Sequence, residues 1–359
     1  MFFFVYTGYI KKTMSAKTRT SQDVVYYNAT LVNNTTGRVL ADIQDGRSAS
    51  IIEVPEHWEM SVVRFDVDSI LLPVALFPMG TGSNTQLSFT FRSSGVNYGP
   101  YYVQSLDPSG FVQSIALGTE MINDLFTTAW PLIGGSKPQF PPQLVWDPIT
   151  QLFRLYFSPD YATTYNDFAI YMNEVAYKYL YALPSIIIGS NQQLGKDVLL
   201  FTWNAKFVQT AATSRIGLPL TLQSPGYYPA GNLVYLEQSA KSISTWQAVR
   251  TIYLTTSSLP IQRESIPGSV GYGQNGSTSS NSIPMITDFI LPQDQNPMEA
   301  HSRIEYLPTA EYRMISLGGR EAIYQVTIQA WWTSYSGNAY QIELPPNGVF
   351  SAKIMFRRK

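Results

Sequence analysis

Ser61-Val-Val-Arg-Phe-Asp-Val-Asp-Ser-Ile-Leu-Leu-Pro73 and Ala248-Val-Arg-Thr-Ile-Tyr-Leu-Thr-Thr-Ser-Ser-Leu-Pro260 are the two stretches whose reading decides the fold. In each, a Val-Arg pair opens an alternating run that closes on Leu-Pro, with one more residue between Arg and Pro in the second. Alternation with period two marks a half-buried strand, because successive side chains point to opposite faces. The first copy assigns Val63, Phe65 and Val67 to one face and Arg64, Asp66 and Asp68 to the other. The offset between the copies is close to half the chain, and similarity at that spacing points to two related β units in tandem. Short patterns of Val, Thr and Leu also recur by chance in β proteins, so a single sandwich with a large insertion between about 75 and 205 stays open beside it.

Strand signals continue outward from these copies. Val24 to Leu31 reads as a first strand closed by the turn-forming cluster Asn33-Asn-Thr-Thr-Gly37, and Arg47 to Val54 reads as another extended piece. Leu87, Phe89 and Phe91 alternate in the same way. Near the end, Tyr324, Val326, Ile328, Ala330 and Trp332 share one face, and Phe350, Ala352, Ile354 and Phe356 point inward from a last strand, with Ser351, Lys353, Met355 and Arg357 outward. Two segments break the pattern. Leu117, Met121, Ile122, Leu125, Phe126 and Ala129 recur at helical spacing, as do Val175, Tyr179, Leu180 and Leu183 behind an Asn173 cap. A hairpin is expected around Asp147-Pro148, and Gly268 to Asn281 reads as an exposed loop. The expected class is all-β, a jelly-roll β-sandwich, two in tandem, with two short helices in long loops. The expected division is an N-terminal arm at 1–23, a first unit at 24–205 and a second at 206–359.

Composition narrows the function. Charged residues are 14% of the 359, against about 25% in ordinary soluble domains, while aromatics also reach 14% with 24 tyrosines. Such a chain favours broad surfaces that end up covered. A net charge of -1 excludes a protein that coats nucleic acid over its whole surface. The absence of cysteine excludes disulfides, thiolate metal sites and a cysteine nucleophile. The opening Met1-Phe-Phe-Phe-Val-Tyr-Thr-Gly-Tyr-Ile-Lys-Lys lacks the order of a signal peptide, and Met14 is an alternative start.

Each candidate chemical site has a plainer reading. Gly271-Tyr-Gly273-Gln-Asn-Gly276 matches the dinucleotide fingerprint in letters, but Ser277-Thr-Ser-Ser-Asn follows where a helix is required. Gly134-Gly135-Ser136-Lys137 lacks the spacing of a phosphate loop. His57 lies near Glu53, Glu56 and Glu59, and His301 near Glu299 and Glu305, yet two scattered histidines do not build a three-histidine centre. Asp66 and Asp68 could pair as carboxylates or meet arginines across a boundary. No catalytic, cofactor-binding or metal-binding residue is therefore assigned, and no enzyme is expected. Lys11, Lys12, Lys17 and Arg19 form a basic cluster, matched by Arg357, Arg358 and Lys359 at the other end, suited to a packaged genome or an internal membrane.

Ile286-Thr-Asp-Phe-Ile, Ile304-Glu-Tyr-Leu-Pro308 with Thr-Ala-Glu-Tyr-Arg313, Val326-Thr-Ile-Gln-Ala-Trp-Trp and Phe350-Ser-Ala-Lys-Ile-Met-Phe-Arg-Arg resemble structural proteins of small icosahedral DNA viruses of the virophage and Polinton-like group. Glu53 to Pro73, Pro141 to Phe157 and Trp246 to Pro260 are similar to the same kind of protein. The resemblance implies a jelly-roll capsid protein, major or minor (penton), resident in the virion. Its implied partners are copies of itself, as homotrimers or homopentamers, and other capsid proteins, with a host receptor as a further candidate. The rival reading is a carbohydrate-binding sandwich, fibre or lectin-like, that stacks sugars on Trp331, Trp332 or the tyrosine runs Tyr98 to Tyr102 and Tyr177 to Tyr181.

Overall fold

The computed structural model describes residues 24–77, 86–104, 110–157, 161, 164–165, 168–191, 195–201, 209–210, 234–246, 248–262, 264–266, 281–290, 303–307, 313–334 and 338–359. Its contacts divide the chain into two compact units, residues 1–72 with 249–359, and residues 73–248. The main strands before residue 73 are β1 (Val24–Val32), β2 (Asp42–Gly46) and β3 (Trp58–Val67). The second unit carries β4 (Ser88–Ser93), β5 (Val96–Tyr102), β6 (Gln143–Asp147), β7 (Leu152–Phe157), β8 (Ala169–Met172), β9 (Ser185–Asn191), β10 (Gly195–Phe201), β11 (Gln209–Thr210) and β12 (Val234–Glu237). The first unit resumes with β13 (Val249–Thr255), β14 (Met285–Ile290), β15 (Ile304–Tyr306), β16 (Gln325–Ser334) and β17 (Val349–Arg358).

The discontinuous unit is a jelly roll. One sheet has the order β1-β17-β3-β15; in the other β14, β13 and β16 are successive neighbours and β2 pairs with the far edge of β16. Every one of these pairings is antiparallel. The first strand thus lies beside the last, and the chain crosses to the other sheet between successive strands except from β13 to β14, which are neighbours in one sheet. The core follows from alternation: Tyr27, Ala29 and Leu31 on β1 and Phe350, Ala352, Ile354 and Phe356 on β17 are buried, as are Val326, Ile328, Ala330 and Trp332 on β16.

Four local expectations change. β3 carries a bulge: Lys353 pairs with Arg64 but the next residue, Ile354, pairs with Val62. The extra residue, Val63, drops out of the ladder and is only half-buried, so Met60 and Val62 face the core before it and Phe65 and Val67 after it. Met355, expected outward, is buried, and Tyr324 is exposed because it precedes β16. The extended piece expected at Arg47 to Val54 is a connection held by one bridge, Ile52 to Ile323, and the strand is Asp42–Gly46 just before it.

The tandem arrangement is also corrected. The two matching stretches are β3 and β13, one in each sheet of the same sandwich, and they flank the inserted unit. Their likeness is that of two strands doing similar work on opposite walls of one core. A boundary at 205/206 would cut through the insertion, which runs from Pro73 to Ala248.

The inserted unit has two sheets of its own, β9-β10-β8-β4-β5 and β11-β12-β7-β6. The hairpin at Asp147 is present as β6 and β7. Both helices are present: α1 (Ile115–Ala129) is capped by Ser114, whose hydroxyl accepts from the Leu117 N–H at 3.1 Å, and α2 (Glu174–Leu180) by Asn173, which accepts from Ala176 at 2.9 Å. Asn173 also donates to the Gln86 carbonyl at 2.7 Å, tying the helix start to the β4 end. The buried stripe of α1, Ile115, Ile122, Leu125, Phe126 and Ala129, meets an aromatic core that includes Phe89, Phe91, Phe153 and Trp246.

Candidate assembly surfaces

Strand direction gives the jelly roll two distinct ends. Leu31, Phe350, Val67 and Ile304 are in register at one end of the first sheet, and Val249 faces Ser334 at the same end of the second. There the chain leaves β1, β3, β14 and β16 and enters β2, β13, β15 and β17. Val24 pairs with Arg357, and Trp58 with Arg358, at the opposite end, where β2, β13 and β15 finish and β3, β14 and β16 begin.

The insertion end is fastened by the two aspartates of the first matching stretch. Asp66 is 3% exposed and accepts from Arg303 Nη2 at 2.6 Å and from Ser351 Oγ at 2.9 Å. Asp68 Oδ2 accepts from the Val349 N–H at 2.6 Å. The carboxylates are therefore spent on neighbouring strands, and the arginine that meets Asp66 comes from the same chain. The hydrogen bond and charge of Asp66 hold the Arg303 guanidinium above its ordinary value.

The opposite end is polar. Arg357 Nε donates to Glu59 at 2.7 Å, Arg320 sits 3.4 Å from Glu56, and Lys359 Nζ donates to the Glu56 carbonyl at 3.0 Å. His57 is exposed, and its acidic neighbours Glu56 and Glu59 are engaged by arginines; among the described residues no cluster of three metal-ligating side chains forms. An open cavity of about 570 Å³ at this end is lined by Ser258, Pro260, Gly318, Arg320 and Tyr324. The Ser258 hydroxyl accepts from the Thr327 N–H at 2.8 Å, and Thr327 Oγ1 in turn accepts from the N–H groups of Ser257 at 2.8 Å and Ser258 at 3.1 Å. This network pins a connection to a strand and brings no base to a nucleophile.

The other sequence candidates resolve in the same way. The Lys137 amine donates to the carbonyls of Trp130 and Ile133 just beyond α1, so it satisfies backbone acceptors near the helix end, and burial lowers its pKa. Trp332 is 3% exposed and stacks on Tyr340, while Trp331 is half-buried, stacks on buried Tyr253 and donates to Thr255 Oγ1 at 3.1 Å. Tyr179 is buried with its hydroxyl on the Leu76 carbonyl. These rings are packing elements and offer no continuous sugar platform. His301, Glu299, Gly271 to Gly276 and the arm with Lys11, Lys12, Lys17 and Arg19 lie outside the described residues.

What the sequence reading missed is the edge of the first sheet. β1 is an outer strand whose exposed face carries Tyr26, Asn28, Thr30 and Val32, and on its other side only β17 pairs with it. The signal was available in Val24 to Val32, which holds neither a charge nor a proline.

The jelly roll is a build that viral capsid proteins share with lectins and cupins, and comparisons with known proteins place this chain with the capsid proteins. Residues 117–358 match the model of the family described as Sputnik minor capsid protein V18/19, and the chain belongs to that family. Structural protein V19 of Sputnik virophage is 29% identical over 193 residues, covering 53% of this chain and 81% of that protein. A chain of the cryo-EM structure of the Sputnik virophage superposes with a TM-score of 0.71 at 23% identity, covering 94% of this chain and 99% of its own. The mavirus penton protein superposes with a TM-score of 0.64 at 15% identity over 94% of this chain and all of its own. The chain is accordingly a structural protein of the virion, located in the capsid and not an enzyme, and it assembles with itself and other capsid proteins.

Proposed function

We propose that this protein is the five-fold vertex capsomer of its shell, a homopentamer. The observation that carries this reading is the count of jelly rolls: all strands of the roll come from one unit, and the inserted unit has a different strand order. A trimer that imitates six-fold symmetry needs two rolls per chain, whereas a chain with one roll closes a five-fold ring by repeating one heterologous contact. The likeness in fold to a penton protein supports the same reading.

The polarity of the roll extends it. Val24, where the arm at residues 1–23 joins, and the exposed Arg357 and Arg358 lie at the end opposite the insertion. In this reading that end faces the interior, where the arm residues Lys11, Lys12, Lys17 and Arg19 meet genome or membrane phosphate, and the insertion end faces outward, available to a host receptor. Native mass spectrometry of the purified full chain, with negative-stain images of the peak, tests the reading. Pentamers with five-fold outlines are the expected result; stable trimers with pseudo-hexagonal outlines would overturn it.

A further inference from the structure

We propose that β1 accepts the N-terminal segment Phe2–Ile10 of a second copy as an added strand, so that neighbouring subunits are stitched by arm exchange. The inference rests on the assembly reading above and names the contact it would use.

β1 is nine residues long and pairs with β17 through an unbroken register from Val24 to Val32. On β17 the Val349 carbonyl accepts from Asp68 on the β3 side, so alternation turns Phe350, Ala352 and Ile354 toward β1. Their partners Leu31, Ala29 and Tyr27 therefore use their N–H and C=O on β17, and those of Tyr26, Asn28, Thr30 and Val32 point the other way. Among the described residues no strand meets them.

Proteins blunt such edges with charge, proline, bulges or brevity. Other outer strands here carry such devices: β15 has three residues, β2 holds Asp42 and Asp45, β14 carries Asp288 bound to Arg313, the pairing of β9 shifts register around Gly189, β5 contains Pro100 and β6 ends in Asp147 bound to Arg154. Val24-Val-Tyr-Tyr-Asn-Ala-Thr-Leu-Val32 has none of these devices, and Tyr26 is 55% exposed on it. An unprotected edge of this length is a template for strand addition.

The occupant is argued from the chain itself. Phe2-Phe-Phe-Val-Tyr-Thr-Gly-Tyr-Ile10 matches β1 in length, carries no charge and is rich in strand-forming aromatic and β-branched residues. Lys11–Asp23 separates it from β1 and is far longer than a hairpin connection of two to five residues. Extended, that linker reaches about 45 Å, enough to cross to a neighbouring subunit.

The chain has no cysteine, so engineered pairs report without background. Full-length proteins bearing Val5→Cys, Thr7→Cys or Tyr9→Cys are each mixed with a differently tagged protein bearing Asn28→Cys, then oxidised; adjacent strands hold such pairs within disulfide reach. Mixed disulfide with at least one arm position is expected, and none with Gln44→Cys on the other sheet. Thr30→Pro, which removes only an outward N–H, should leave the monomer folded by circular dichroism and abolish both the mixed disulfide and the oligomer. A pentamer whose arms link equally to Gln44→Cys, or that survives Thr30→Pro unchanged, sinks the exchange and leaves the vertex reading standing. Linkage only within one chain carrying both cysteines assigns the edge to its own arm and overturns the proposal. A parent chain that stays monomeric and never forms the mixed disulfide removes both readings.

Discussion

Gly118 on α1 and the Trp246 ring are coupled closely enough to be measured. Trp246 is 1% exposed, stacked on Phe153 at 4.7 Å and met edge-on by Phe77 and Tyr179. A Cβ added to Gly118 would lie 2.7 Å from Cζ3 of that ring, which three other rings hold in place. Gly118→Ala should gain about 1 kcal/mol of helix propensity and lose about 1–3 kcal/mol to overpacking, a net loss of roughly 0–2 kcal/mol. Trp246→Ala alone should cost about 3–5 kcal/mol. The Tyr179 carbonyl that accepts from Trp246 Nε1 keeps the Ser242 hydroxyl at 3.1 Å, so little of that cost comes from an orphaned acceptor. In the Trp246→Ala background the overlap is gone and Gly118→Ala should become stabilising by up to about 1 kcal/mol, giving a coupling of about 1–3 kcal/mol. Urea unfolding of the full chain followed by far-UV circular dichroism closes the cycle. An identical effect of Gly118→Ala in both backgrounds would refute the claim that the glycine exists to admit the indole.

Three further outcomes follow from the described contacts. Thr327→Val keeps the shape but removes the acceptor shared by the Ser257 and Ser258 N–H groups, and should cost about 1–3 kcal/mol in urea titrations, with faster hydrogen exchange at those two amides. Asp66→Ala should cost about 2–3 kcal/mol because a buried charged acceptor is lost, while Arg303→Ala, whose side chain is 56% exposed, should cost under about 1 kcal/mol; equal losses would mean that the ion pair dominates. Burial raises the Asp147 carboxyl, but hydrogen bonds from Ile149 and Thr150 and the charge of Arg154 outweigh it and hold the group below the usual carboxylate value. A depressed folded value stabilises above the unfolded one, so Asp147→Asn should be less stable than the parent at neutral pH, the gap closing in thermal melts as pH falls below about 4.

The all-β class, both helices and the Asn173 cap were legible because each rests on local pattern, whereas the Ser114 cap of α1 was not read. Phe350, Ala352, Ile354 and Phe356 lie where alternation places them, and Asn173 caps where the pattern begins. The β3 bulge was not legible, since a one-residue shift leaves Val63 looking like any other apolar strand residue. Nor was the sheet partnership of the matching stretches, which depends on contacts across the whole chain. Asp66 and Asp68 stood out in the sequence as a pair, but their use as clamps for Arg303, Ser351 and Val349 depends on partners more than two hundred residues away. The residue types were visible; the distances that assign them to architecture were not.

The polarity of the molecule follows from counting strands. Each antiparallel strand carries the chain from one end of the roll to the other, so after one or three of them it stands opposite its start, and after all eight it is back. Residues Val24 and Arg358 therefore share an end, and an insertion between β3 and β13 must leave from the other. Loop-closure entropy grows slowly with length, so a connection at that end can be opened to admit residues 73–248 while the eight strands of the roll keep their partners. The same insertion placed between β2 and β3, or between β15 and β16, would emerge among Glu56, Arg320 and the basic end of β17. Strand parity alone therefore sets the point where the chain leaves the roll for residues 73–248 at the end opposite Glu56, Arg320 and Arg358.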